Sequence, residues 1–153
     1  CRPAAREPHR RHDSSVAAVA AFFAPSDLEG LFRGDASLEA ARQGIAWEEM
    51  LFHGGLRGRT PEEVTERMRE LSPVHAAASF RARHPGQAPP PFLLVHGDAD
   101  PVVPLVQSLR LADALRAAGG VADVLVRPGG GHPWPDAGAE CAKAAAWLAA
   151  RLR

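Results

Sequence analysis

Pro91-Phe-Leu-Leu-Val-His-Gly-Asp-Ala-Asp-Pro-Val-Val-Pro104, followed at Pro128 by Gly-Gly-Gly-His132, decides how this chain folds. Phe92–Val95 is a short, wholly apolar run between a proline-rich stretch and His96-Gly97. Such a run reads as a strand buried on both faces. Leu105–Ala118 reads as a helix with Leu111, Leu115 and Ala118 on one face and Gly119-Gly120 as its stop. Ala122–Val126 is a further strand. Gly138–Leu152 is a closing helix, whose Cys141, Ala145, Leu148 and Leu152 form the expected inward stripe, making Cys141 a core thiol. Alternation of strand and helix predicts an α/β fold: a parallel sheet of about three strands with flanking helices.

Upstream, Val16–Ala24 is almost unbroken apolar sequence stopped by Pro25-Ser26-Asp27. It reads as the remaining strand, apolar on both faces as an interior strand should be, although its alanines also suit a helix. Helix is expected from about Ser37 to Phe52, ended by glycines at 54, 55 and 58. Thr60-Pro61-Glu62-Glu63 is a well-formed helix start: Thr60 can cap, Pro61 suits the first turn, and Glu63 can complete a capping box. Val64, Met68 and Leu71 follow at helical spacing until Ser72-Pro73 ends the helix, and Arg81–Pro91 is a proline-rich surface connection.

Eighteen basic residues balance eighteen acidic ones, so no global field favours nucleic acid or an anionic membrane. No stretch approaches the ~20 continuous apolar residues of a membrane span. Cys1–Asp13 carries four arginines, two histidines and two prolines without an apolar core. That segment is a solvated basic loop or linker rather than a secretory signal. His9, His12 and Asp13 are too loosely grouped for a metal, and Cys1 and Cys141 lack metal-ligand spacing. Gly129–Gly131 is not followed by the Gly-Lys-Ser/Thr of a phosphate loop. No metal or organic cofactor is implied.

In an open parallel sheet, ligands bind at the carboxyl ends of the strands. Asp98 and Asp100 lie just past one strand and His132 just past another. If the two strands are neighbours, ~5 Å apart, their exit loops meet, and a carboxylate from one can accept the ring N–H of the histidine from the other. This would fix the imidazole tautomer and stabilise the imidazolium formed when the ring takes a proton from a nucleophile. The glycines at 129–131 let the backbone turn without side-chain crowding. His96, ending a buried strand, reads as a structural hydrogen-bonder.

Taken together, His96-Gly97-Asp98-Ala99-Asp100-Pro-Val-Val-Pro104, Gln107-Ser108 and Pro128-Gly-Gly-Gly-His132 closely resemble the C-terminal half of α/β-hydrolases. The nearest groups are acetyl-esterase and feruloyl-esterase-like enzymes and the prolyl-oligopeptidase catalytic domain. Val19-Ala-Ala-Phe-Phe-Ala-Pro-Ser-Asp-Leu28 resembles the strand and turn after the nucleophile helix, and Leu71-Ser72-Pro73-Val74 resembles a Ser-Pro-Ile element before the acid-bearing strand. The resemblance implies that residues 14–153 are the C-terminal part of one such domain. It makes Asp100, the aspartate closing His-Gly-x-x-Asp, the acid, with Asp98 as competitor. It makes His132 the base. Trp134, just beyond, either lines the acyl or leaving-group pocket or packs on the turn.

The nucleophile departs from this pattern. The serines at 14, 15, 26, 37, 72, 79 and 108 all lack the flanking glycines of Gly-x-Ser-x-Gly. Phe52-His53-Gly54-Gly55 looks like an oxyanion-hole motif but follows the post-nucleophile strand, so it reads as a helix-ending glycine pair. The expected function is the acid-and-base fragment of a serine carboxylic-ester hydrolase, inactive alone, with a prolyl-oligopeptidase-type peptidase fragment or a non-catalytic binding module as alternatives. Its expected partners are a small-molecule ester and the upstream half of the same domain.

Overall fold

A computed structural model describes residues 15–32, 47–52 and 55–152. Three strands, β1 (Val19–Phe22), β2 (Phe92–Gly97) and β3 (Ala122–Arg127), form a parallel sheet in the order β1-β2-β3. Phe92 is level with Val19 on one side and Ala122 on the other. The helices are α1 (Leu28–Phe32), α2 (Trp47–Leu51), α3 (Pro61–Leu71), α4 (Pro73–Ala78), α5 (Phe80–Arg83), α6 (Val106–Ala117) and α7 (Gly138–Ala149). The α/β class read from the sequence, a parallel sheet of three strands with flanking helices, is the observed one.

Alternation along β2 explains the two-layered core. Leu94 points to one face, where Leu111, Ala112 and Leu115 of α6 and Ala77 of α4 cover it. Leu93 and Val95 point to the other, against Trp134 and Ala144. Both faces of β2 are therefore apolar, as a central parallel strand requires. A third cluster of Leu28, Phe52 and Met68 lies under α1–α3.

Thr60 caps α3 through a complete capping box with Glu63, and Pro61 opens the helix. Ser72 ends α3 as expected, but Pro73 also starts α4, because proline's missing N–H costs nothing in a first turn. The proline-rich connection begins inside α5, is exposed from Arg81 to Ala88, and buries Pro89. α1 is an element the sequence reading did not mark. Asp27 nucleates it, accepting the Gly30 amide on its side chain and the Leu31 amide on its carbonyl.

Three expectations need correction or restriction. β1 is shorter than the expected Val16–Ala24, is partly buried and, among the described residues, pairs on one side only. Cys141 and Ala145 of α7 are exposed and Leu152, beyond its end, is 65% exposed; Leu148 is partly buried, and Glu140 and Ala144 are the buried residues. The helix is turned by one position, ~100°, because Trp147 packs beside Val95 and donates its indole N–H to Asp123 Oδ2 at 2.7 Å. With Trp147 inward, Ala144 and Glu140 follow at helical spacing, and Cys141 is no core thiol. The expected helix from Ser37 to Phe52 is observed as α2 over Trp47–Leu51; its residues 37–46, together with His53, Gly54 and Cys1–Asp13, lie outside the described residues.

Candidate active site

β2 and β3 leave the sheet level with each other, His96 opposite Val126 and Gly97 opposite Arg127. Their exit loops then pack backbone to backbone. Asp98 N–H donates to the Arg127 carbonyl at 3.2 Å and Ala99 N–H to the Gly130 carbonyl at 3.1 Å. A Cβ at Gly97 would collide with the Gly130 carbonyl, so glycine is required there. Gly129 sits at φ +68, the left-handed region that glycine enters freely. Its amide donates to Asp98 Oδ1 at 2.6 Å. Asp98 is thus an exposed side chain that ties the two loops together.

Asp100 is placed differently. Its side chain is fully buried; Oδ1 accepts the amides of Val102 and Val103 at 2.9 and 2.8 Å. Oδ2 lies 2.8 Å from His132 Nδ1, so the two residues converge across the loop pair. Burial alone pushes the Asp100 carboxyl up, but the N–H groups of His96, Val103, His132 and Val102 together hold it below its ordinary value. A carboxylate can only accept, so Nδ1 carries the proton and Nε2 presents a lone pair. Among the described residues Nε2 has no hydrogen-bond partner. The imidazole is 17% exposed, open enough for a reactant to reach it.

Two aromatic rings back the imidazole. Phe23 meets it edge-on with centroids 4.7 Å apart, and Trp134 meets Phe23 edge-on at 5.6 Å. Trp134 is only 6% exposed, packed with Leu93, Val95 and Ala144. It lies behind Phe23 and under the turn. Phe23 was missed by the sequence reading: it leaves β1 at φ +39, a conformation a bulky residue adopts at a cost of roughly 1–3 kcal/mol. Its amide is held by the Val95 carbonyl at 2.8 Å, and only this backbone turn swings the ring over His132. Nothing in the local sequence signals it.

The loop bearing His132 is closed at its base. Arg127 Nη2 donates to both carboxylate oxygens of Asp136 at 2.9 Å, and Nη1 donates to Glu140 at 3.0 Å. Ser26 and Gln107 tie the turn after β1 to α6. The Ser26 hydroxyl donates to the Gln107 carbonyl at 2.6 Å, and the Asp27 amide to Gln107 Oε1 at 2.6 Å. Among the described residues no helix is long and apolar enough to cross a membrane.

A parallel sheet carrying a buried carboxylate and a histidine on adjacent exit loops is an α/β-hydrolase arrangement. The sequence model of the prolyl oligopeptidase family matches residues 41–153, well over half of the chain, and the chain belongs to that family of serine hydrolases. No curated protein matches it. Among solved structures it is similar to a truncated carbohydrate esterase from gut microbiota, at 30% identity and a TM-score of 0.54, over 78% of this chain and 36% of that one. It is similar to a puromycin-hydrolyzing peptidase of Mycobacterium tuberculosis, at 28% identity and a TM-score of 0.59, over 86% of this chain and 17% of that one. A bifunctional GH43-CE protein of Bacteroides eggerthii gives 26% identity and a TM-score of 0.60, over 92% and 17%. The chain therefore spans about a third or less of these relatives.

Proposed function

We propose that residues 14–153 are the C-terminal part of one α/β-hydrolase domain, supplying acid and base to a Ser-Asp-His triad that cleaves a carboxylic ester. The observation that carries this reading is the 2.8 Å contact between Asp100 Oδ2 and His132 Nδ1. His132 Nε2 would take the proton of a serine hydroxyl as that oxygen attacks the ester carbonyl. Asp100 would stabilise the resulting imidazolium, and the same proton would pass to the leaving alcohol. The acyl-enzyme would then be released by water activated in the same way.

The nucleophile and the oxyanion-hole donors belong, in this reading, to the upstream half of the domain, since every serine here lacks the Gly-x-Ser-x-Gly frame. The substrate is a small-molecule ester. A second reading, amide cleavage by a peptidase, is favoured by the match to the prolyl oligopeptidase family and by the likeness to the puromycin-hydrolyzing peptidase.

The test uses the full-length protein with a fluorophosphonate probe, p-nitrophenyl acyl esters and aminoacyl p-nitroanilides. Probe labelling with preferential ester turnover supports the esterase. Preferential anilide turnover replaces it with the peptidase. Absence of both labelling and turnover leaves a non-catalytic binding module. Residues 1–153 alone should take no label.

A further inference from the structure

His96 is the one fully buried histidine of the described residues, and the proposed chemistry does not use it. It is the penultimate residue of β2, four positions before Asp100. Its Nε2 lies 2.7 Å from the Val103 carbonyl, and its Nδ1 lies 2.7 Å from Ser108 Oγ. A carbonyl can only accept, so Nε2 carries a proton, while Nδ1 faces a hydroxyl able to donate to it.

Val103 links this ring to the acid. Its amide donates to Asp100 Oδ1 at 2.8 Å, while its carbonyl takes the His96 proton. The turn from Asp100 to Val103 is therefore gripped on both sides of one residue. The same Nε2 atom also lies 3.6 Å from Asp100 Oδ2, the oxygen that meets His132. That is too long for a hydrogen bond, but it sets a positive N–H end against the carboxylate in a site from which water is excluded. Ser108, 2% exposed on α6, fixes the ring from behind.

We propose that His96, held by Ser108, is a positioning residue for Asp100: it sets the carboxylate's orientation and charge toward His132 without touching a reactant. A residue that served only to fill the core at the end of β2 would need shape and apolarity, not a donor at Nε2.

Two substitutions separate these roles. In His96→Gln the side-chain amide reaches the Nε2 position and can still donate to the Val103 carbonyl. In His96→Asn the amide reaches only the Nδ1 position, leaving Val103 and Asp100 without that donor. The readouts are the titration of the Asp100 carboxyl, followed by ¹³C NMR, and the downfield proton shared by His132 Nδ1 and Asp100. Asn should move the Asp100 midpoint up by about one pH unit and weaken or abolish the downfield proton, whereas Gln should keep both near wild type.

Equal behaviour of the two variants, whether both unchanged, both shifted or both unfolded, overturns the inference. The role rests on reading Asp100 as the acid, but its test observes the carboxyl itself. Absence of hydrolysis would overturn the proposed function, whereas an unmoved Asp100 would overturn this inference alone.

Discussion

Asp98 and Asp100 are two residues apart and chemically identical, yet the fold gives them separate work. Asp98 stays exposed and holds the Gly129 amide; Asp100 is buried between two backbone amides and an imidazole. Asp100→Asn should therefore cost about 10³- to 10⁴-fold in kcat of the full-length enzyme, because an amide can settle the wrong imidazole tautomer. Asp98→Asn should cost far less, and a reversed order in steady-state kinetics would make Asp98 the acid. The depressed pKa of Asp100 also has a stability consequence. A carboxyl whose folded value lies below its unfolded value, about 3.9, stabilises the protein above that pH and loses this contribution as pH falls through the folded value. Urea midpoints of the wild type should thus drop on acidification below about pH 4 more steeply than those of Asp100→Asn. Parallel curves would mean that Asp100 is not held as described.

At the scale of elements, the two exit loops form one unit because they touch through backbone. Gly97→Ala drives a Cβ into the Gly130 carbonyl and should destabilise by about 1–3 kcal/mol while displacing the His132 turn. Thermal melts and activity should therefore fall together. Thr60→Ala provides the contrast: it removes a capping-box partner on α3, away from Asp100 and His132, and should cost about 1 kcal/mol with kcat unchanged. Loss of kcat in that variant would couple the α1–α3 layer to the site. The capping box was legible in Thr60-Pro61-Glu62-Glu63 because it is a purely local device. The rotation of α7 was not, since alanines fall on every face of that helix. Tertiary contacts choose among those faces: the Trp147–Asp123 hydrogen bond, between residues 24 positions apart, and the Arg127–Glu140 ion pair.

For the whole molecule, β1 is the consequential feature. Its four residues are apolar, partly buried and unpaired on one side among the described residues. An apolar edge of this kind is a template for pairing with another chain unless something covers it. Residues 1–153 expressed alone should consequently self-associate or be poorly soluble, as read by light scattering against concentration. A monodisperse, cooperatively melting monomer would count against an upstream half completing the sheet.

The α/β class, the order of the last two strands and helices, and the candidate positions Asp100 and His132 were all written in the linear pattern. Apolar runs, glycine stops and a cap are local properties that need no knowledge of neighbours. Tertiary structure alone decided which oxygen of Asp100 meets which nitrogen of His132, the swing of Phe23 over the imidazole, and the placing of the Val103 backbone between His96 and Asp100. Those depend on strand register and on backbone torsions, such as the φ of +39 at Phe23, which contacts far apart in sequence impose and no single residue type encodes.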